Sequence, residues 1–116
     1  MMSTNLMIDK NDDIWVIDFS VSNYTARLNE ILVICDDIAL ILDNKAESER
    51  RVKASFDEWC KKVNATEFEI QSFQLLYDVA NAINVLNPIY ELNTGNNSDE
   101  TLMHLNSGLF ALTLFK

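Results

Sequence analysis

The segment Ile31-Leu32-Val33-Ile34-Cys35-Asp36-Asp37-Ile38-Ala39-Leu40-Ile41-Leu42 is apolar except for one adjacent acidic pair. A helix this apolar has to be covered on most sides, by its own chain or by a partner, while its carboxylates require water or a cation. It falls well short of the ~18 to 20 apolar residues that cross a bilayer, as does Gly108–Phe115, so a membrane span is not expected. The segment reads as the central helix of a soluble domain.

The rest of the chain supplies material to cover it. At 116 residues the chain suits one domain, residues 1–116, with one self-sufficient core. Only two glycines and one proline are present, which disfavours an architecture of many tight turns, because hairpin turns and helix C-caps draw on those residues. The expected fold is therefore mainly α: a small bundle of about four helices with a short N-terminal β-hairpin or strand. The alternative is α+β, with the C-terminal segment as a strand.

Trp15, Ile17, Phe19 and Val21 alternate with Ile14, Val16, Asp18 and Ser20, the period of two that a pleated strand needs. Leu6-Met7-Ile8 can pair with this run across the polar turn Asp9–Asp13, and the hairpin is expected to pack on the helices because it is marginal alone. The first helix is predicted over residues 22–43, capped by Ser22 or Asn23. Its seam is Tyr24, Leu28, Ile31, Cys35, Ile38 and Leu42, stepping by four and three. Asn29, Glu30, Asp36, Asp37 and Asp43 leave a narrow wet stripe.

Asn44 with Glu47 has capping-box spacing and opens a second helix whose apolar face is Val52, Phe56, Trp59, Cys60 and Val63. Thr66 with Glu69 is a cleaner box. The helix it opens carries Ile70, Phe73, Leu76, Tyr77, Ala80 and Ile83 as one stripe, with Gln71, Gln74, Asp78 and Asn81 facing away. Asn87-Pro88 should end it, since the residue before a proline is pushed out of the helical region. After the loop Asn93–Ser98, a helix start at Ser98 with Asp99 and Glu100 behind it leads into Leu102, Leu105, Leu109 and Leu112 at helical spacing. The tail Leu109–Phe115 fits alternation almost as well, and as a strand it would pair with Ile14–Val21.

Charge narrows the function classes. The net charge is −9, divided as −6 over residues 1–43, +2 over 44–63 and −5 over 64–116. Phosphate backbones and anionic membranes are disfavoured as partners, and basic proteins are favoured. The basic island on the second helix, Arg50, Arg51, Lys53, Lys61 and Lys62, is interleaved with Glu47, Glu49, Asp57 and Glu58, which invites local ion pairs rather than nucleic-acid binding. The N-terminus has no basic region followed by a long apolar one, and two cysteines without a secretion signal read as reduced core thiols, so the expected location is cytoplasmic.

Catalytic patterns are weak. Asp9-Lys10-Asn11-Asp12-Asp13 imitates the opening of a calcium loop, but Ile14 stands where glycine is needed and Ser20 where a bidentate glutamate is needed. His104 is the sole histidine, so zinc clusters built on several imidazoles are excluded within one chain. Cys35 sits in the most apolar helix, where a thiol is protonated and inert. No carboxylate pair is singled out, and glycine-rich phosphate loops are absent. No metal or cofactor is expected, and an enzyme is disfavoured.

What remains is a small acidic protein that binds another protein and inhibits, neutralises or escorts it, as immunity proteins, antitoxins, phage inhibitors of host defence and secretion chaperones do. The expected contact surface is Glu30, Asp36, Asp37 and Asp43, with Val33 and Leu40 as apolar anchors, because charge steers an encounter and buried apolar groups prolong it. A structural homodimer through helix 22–43, with Cys35 near the seam, is the second reading, and a small enzyme without a recognisable motif the third.

Overall fold

The computed structural model of the chain describes residues 6–16 and 27–116, leaving outside also the side chains of Leu6, Val16, Val33, Asp36 and Asp37. Among the described residues the order is β1 (Leu6–Ile8), β2 (Ile14–Val16), α1 (Leu28–Ile34) with a π-helical turn (Cys35–Ala39), α2 (Lys45–Val63), α3 (Glu67–Asn93) and α4 (Asp99–Ala111). The described residues are mainly helical, with four α-helices and a short antiparallel hairpin, as the apolar periodicities predict.

The hairpin aligns Leu6 with Val16, Met7 with Trp15 and Ile8 with Ile14. Its turn is organised by Asp9, whose carboxylate accepts from the amides of Asn11 at 2.7 Å and Asp13 at 3.1 Å and from the Trp15 indole at 3.2 Å. These donors hold the Asp9 carboxyl below its ordinary range, the Asn11 amide contributing most. Among the described residues the expected packing on the helices is not found: Met7, Ile8, Ile14 and Trp15 are all more than half exposed. The rest of the expected strand, Ile17–Val21, lies outside the described residues, as does the expected helix start at Ser22 or Asn23.

The central helix is sheltered as its composition requires. Leu28, Ile31, Leu32, Cys35 and Ala39 join Val52, Phe56, Phe73, Tyr77, Ala111 and Leu114 in one contiguous core cluster drawn from α1 to α4 and the residues after α4. Its end differs from expectation. Helical structure stops at Ala39, Leu40 is extended, and Ile38 and Leu42 are exposed rather than in the seam. The π turn is the reason: an i→i+5 turn takes up one residue more than an α turn, so after Cys35 the core-facing position passes from Ile38 to Ala39. Ser48, fully buried on α2, then holds the segment after the extended Leu40 by bonding both the amide and the carbonyl of Ile41.

Local signals place the next two helices. The Asn44 carboxamide accepts from the Glu47 amide at 3.1 Å and caps α2, whose core side is Ser48, Val52 and Phe56. Asn64 ends it in the left-handed conformation, φ 51°. At the start of α3 the capping box is complete: the Thr66 hydroxyl accepts from the Glu69 amide and the Glu69 carboxylate accepts from the Thr66 amide at 2.8 Å. That carboxylate also receives a two-pronged bond from Arg27, at 2.6 and 2.7 Å, while Arg27 donates to the Val63 carbonyl at 3.0 Å. One guanidinium thus ties the start of α1 to the end of α2 and the start of α3.

The predicted stop at Asn87-Pro88 does not occur, because α3 runs through Pro88 to Asn93. Proline removes the amide hydrogen that would reach the Asn84 carbonyl, and packing supplies the compensation. Pro88 is buried, and α4 crosses at this level with Gly108 so close that a Cβ there would lie 3.0 Å from Val85 Cγ2 and 3.3 Å from the Asn84 carbonyl carbon. Beyond the proline, Glu91 accepts from the Thr101 hydroxyl at 2.7 Å and pins the helix end to the start of α4.

Ser98 caps α4 by accepting from the Thr101 amide at 3.2 Å. The tail is helix followed by turns, so the strand alternative is not realised. Leu114 is fully buried, the Phe115 amide donates to Glu49 at 2.7 Å, and Lys116 bridges to Asp78 at 3.2 Å. The burial of Leu114 under the bundle favours the turns, since it takes a large apolar side chain out of water. An aromatic row from Trp59 through Phe56, Phe73 and Tyr77 to Phe115 runs across the core, with Phe56 and Phe73 stacked at 3.8 Å between centroids.

Candidate functional site

The expected acidic stripe is not assembled on one helical face. Spacing by sevens aligns side chains only along an uninterrupted α-helix, and here the π turn and the extended Leu40 intervene. Glu30 is exposed on α1, whereas Asp43 stands in the turn before α2 with φ 66°, and Leu40 packs half-buried against the core. The side chains of Val33, Asp36 and Asp37 lie outside the described residues.

The basic island of α2 is largely engaged within the chain. Glu47 receives Arg50 through two bonds of 2.7 Å and Arg51 at 3.0 Å, which holds its carboxyl down at about 2, the Arg50 bond contributing most. Lys45 lies 3.7 Å from Glu49 and Lys62 lies 3.8 Å from Glu58. Alternating charges at i, i+3 and i+4 produce this face, as the sequence suggested.

The thiols are placed as structural groups. Cys35 is fully buried, with Sγ 3.9 Å from the Val52 carbonyl oxygen. Cys60 is partly buried, and desolvation, then the negative fields of Asp57 and Glu69, push its thiol pKa up, so it stays protonated. The two are not joined in a disulfide. His104 and Glu100 sit exposed on α4 with 3.7 Å between them. Among the described residues no three metal-ligating side chains converge.

A different surface stands out. Between α1 and α3 lies an open groove of about 340 Å³ lined by Asn29, Leu32, Leu76, Val79, Ala80, Ile83 and Asn84. Its walls are apolar apart from two carboxamides, with no acid or base among them, a lining suited to apolar side chains rather than to proton transfer. The groove opens onto a row of solvent-exposed apolar residues running the length of α3: Phe68, Leu75, Val79, Ile83, Leu86 and Tyr90.

Sequence periodicity assigns α3 one apolar stripe, but the helix has two. Phe73, Tyr77, Asn81 and Pro88 face the core. Ile70 and Ile83, expected inside, are 44% and 50% exposed, while Asn81, expected outside, is 1% exposed and donates to the Tyr77 carbonyl at 2.9 Å. Asn81 is tolerated inside because its amide finds that backbone acceptor one turn back. The spacing that would have disclosed the outer row was present: Phe68, Leu75, Val79, Leu86 and Ile89 repeat by sevens, fours and threes.

No family model matches this sequence, and no curated protein or solved structure matches it.

Proposed function

We propose that this chain is a protein-binding module that engages a partner through the outer face of α3 and the adjoining α1–α3 groove, and by occupying that partner inhibits, neutralises or escorts it. The observation that carries the reading is the row from Phe68 to Tyr90, exposed apolar side chains that recur at helical spacing on one side of a 27-residue helix. Exposed patches of this extent mark interaction sites, since leaving them in water is costly. The groove beside it offers a recess for an anchoring apolar side chain of the partner.

The net charge of −9 complements this surface. Its field accelerates encounter with a basic partner, while the uncharged row supplies the lasting contact. Glu30 follows the groove residue Asn29 and is exposed, so it retains the steering role expected of it; Asp43 contributes to the same field from its turn. A cytoplasmic site of action and a non-enzymatic role belong to this reading.

The test is a comparative capture from the native host with wild-type, Leu75→Glu and Leu86→Glu baits. A protein retained by the wild type and lost from both variants supports the reading, and Glu30→Gln should slow its association at low salt. Identical retention by all three baits rejects α3 as the contact surface.

A further inference from the structure

We propose that the occupant of the outer α3 face is a second copy of this chain, paired antiparallel across a two-fold axis near the middle of the helix. The proposal rests on the reading of α3 as a contact surface and names what covers that face until a basic foreign partner displaces it. Its basis is the register of the face. Phe68, Ser72, Leu75, Val79, Ala82, Leu86, Ile89 and Asn93 alternate in steps of four and three without interruption, the spacing by which one helix seats its knobs in the holes of another.

The register is self-complementary in one direction. With the axis between Ala80 and Asn81, Leu75 meets the partner's Leu86, Val79 meets the partner's Ala82, and Ser72 meets the partner's Ile89. Large residues then face smaller or equal ones in every layer, and small Ala82 beside the axis permits close approach. A parallel arrangement would stack Phe68 on itself, align the helix dipoles and bring the acidic first turns, Glu67 and Glu69, side by side. An isologous antiparallel contact avoids all three.

Charge and area agree with this occupant. No carboxylate or base stands on the seam, and of the four acids of α3 Glu69 is paired with Arg27 and Asp78 with Lys116, while Glu67 and Glu91 keep their charge beside the neutral Gln71 and Thr101. The seam itself therefore sets no like charges against one another when two copies meet. The helix presents the seam over about 40 Å. The exposure of its apolar residues, from 40% at Ile89 to 78% at Phe68, offers on the order of 700 Å² per copy once flanking Ile83 and Tyr90 are included, close to the ~800 Å² per partner of a stable interface. The apolar face of α1 is spent on the intramolecular core, which moves the seam for a second copy from the first helix to the third.

The experiment is the molar mass of the full chain by light scattering at about 100 μM, where micromolar self-association is saturated. The expected mass is twice 13.3 kDa. Leu75→Glu and Leu86→Glu should each halve it with helical circular dichroism retained, while Met103→Glu, on an exposed part of α4 away from the seam, should leave it unchanged. In a Cys60→Ser background, Leu75→Cys with Leu86→Cys should oxidise to a cross-linked dimer. Leu75→Cys alone should not, because its partner copy lies about 16 Å along the axis. A wild-type mass of 13.3 kDa, a dimer mass insensitive to Leu75→Glu, or cross-linking by Leu75→Cys alone overturns the proposal. A monomeric wild type whose captured protein is nonetheless lost on Leu75→Glu overturns self-pairing while leaving α3 as the surface for a foreign partner.

Discussion

The hydroxyl of Ser48 accepts from the Ile41 amide at 2.8 Å and donates to the Ile41 carbonyl at 3.0 Å, so one buried side chain satisfies both backbone groups of a residue that has just left a helix. Helix ends leave carbonyls and amides that need partners, and this one finds them on α2 rather than in water. The bond pair fixes where the central helix stops and the direction in which the chain turns toward α2.

Ser48→Ala should therefore destabilise the chain by about 1–3 kcal/mol, the cost of leaving the partly buried Ile41 amide without its partner, while the Ile41 carbonyl keeps the Asn44 amide at 3.0 Å. Urea denaturation monitored by circular dichroism measures it. A loss within ~0.5 kcal/mol, the range of ordinary surface changes, would show that water replaces the hydroxyl.

Glu69 joins the capping box of α3 to Arg27, and these donors, Arg27 first, lower its carboxyl pKa from 4.5 to about 2. A carboxyl whose folded pKa is depressed contributes stability that is complete above its unfolded value and disappears as pH falls through the folded one. Glu69→Gln should consequently be less stable than the wild type at pH 6, with the gap closing between pH 4.5 and 2. Denaturation midpoints of the two proteins across that range test this, and a gap constant with pH would remove the Arg27–Glu69 pair from the account.

Gly108→Ala should destabilise, although alanine is the better helix former by about 1 kcal/mol. The added methyl would lie 3.0 Å from Val85 Cγ2 and 3.3 Å from α3 backbone atoms, contacts that α4 can relieve only by moving away. A net loss of roughly 1–3 kcal/mol is expected, typical of overpacking, and a stabilised variant would mean that the crossing has slack.

Phe68 and Phe73 offer a direct comparison within one helix. Phe73 is buried and stacked on Phe56, whereas Phe68 is 78% exposed. Phe73→Ala should cost about 3–5 kcal/mol. Phe68→Ala, compared at concentrations low enough to keep the chain monomeric, should stay within about 0.5 kcal/mol. Similar losses from both would mean that the outer face is covered within the single copy.

Read by itself, the sequence determined the features that depend on a few adjacent residues. The caps at Asn44, Thr66 and Ser98, the hairpin across Asp9–Asp13, the core side of α2 and the ion pairs of its basic face were all legible, because each is settled within about one turn of backbone. Tertiary structure decided what adjacent residues leave open. Ile38 or Ala39 could face the core until the π turn chose Ala39, and Pro88 forbids a helix only until a crossing at Gly108 holds both sides of it. Glu30 and Asp43 share a stripe only on a helix that continues past Leu40. The largest of these decisions concerns α3. A helix apolar on two opposite faces carries no local preference between them, and the packing of α1, α2 and α4 buried Phe73, Tyr77 and Asn81 while leaving Phe68, Leu75 and Leu86 outside. Hydrophobic burial is non-directional, so which face becomes core depends on the neighbours that reach it.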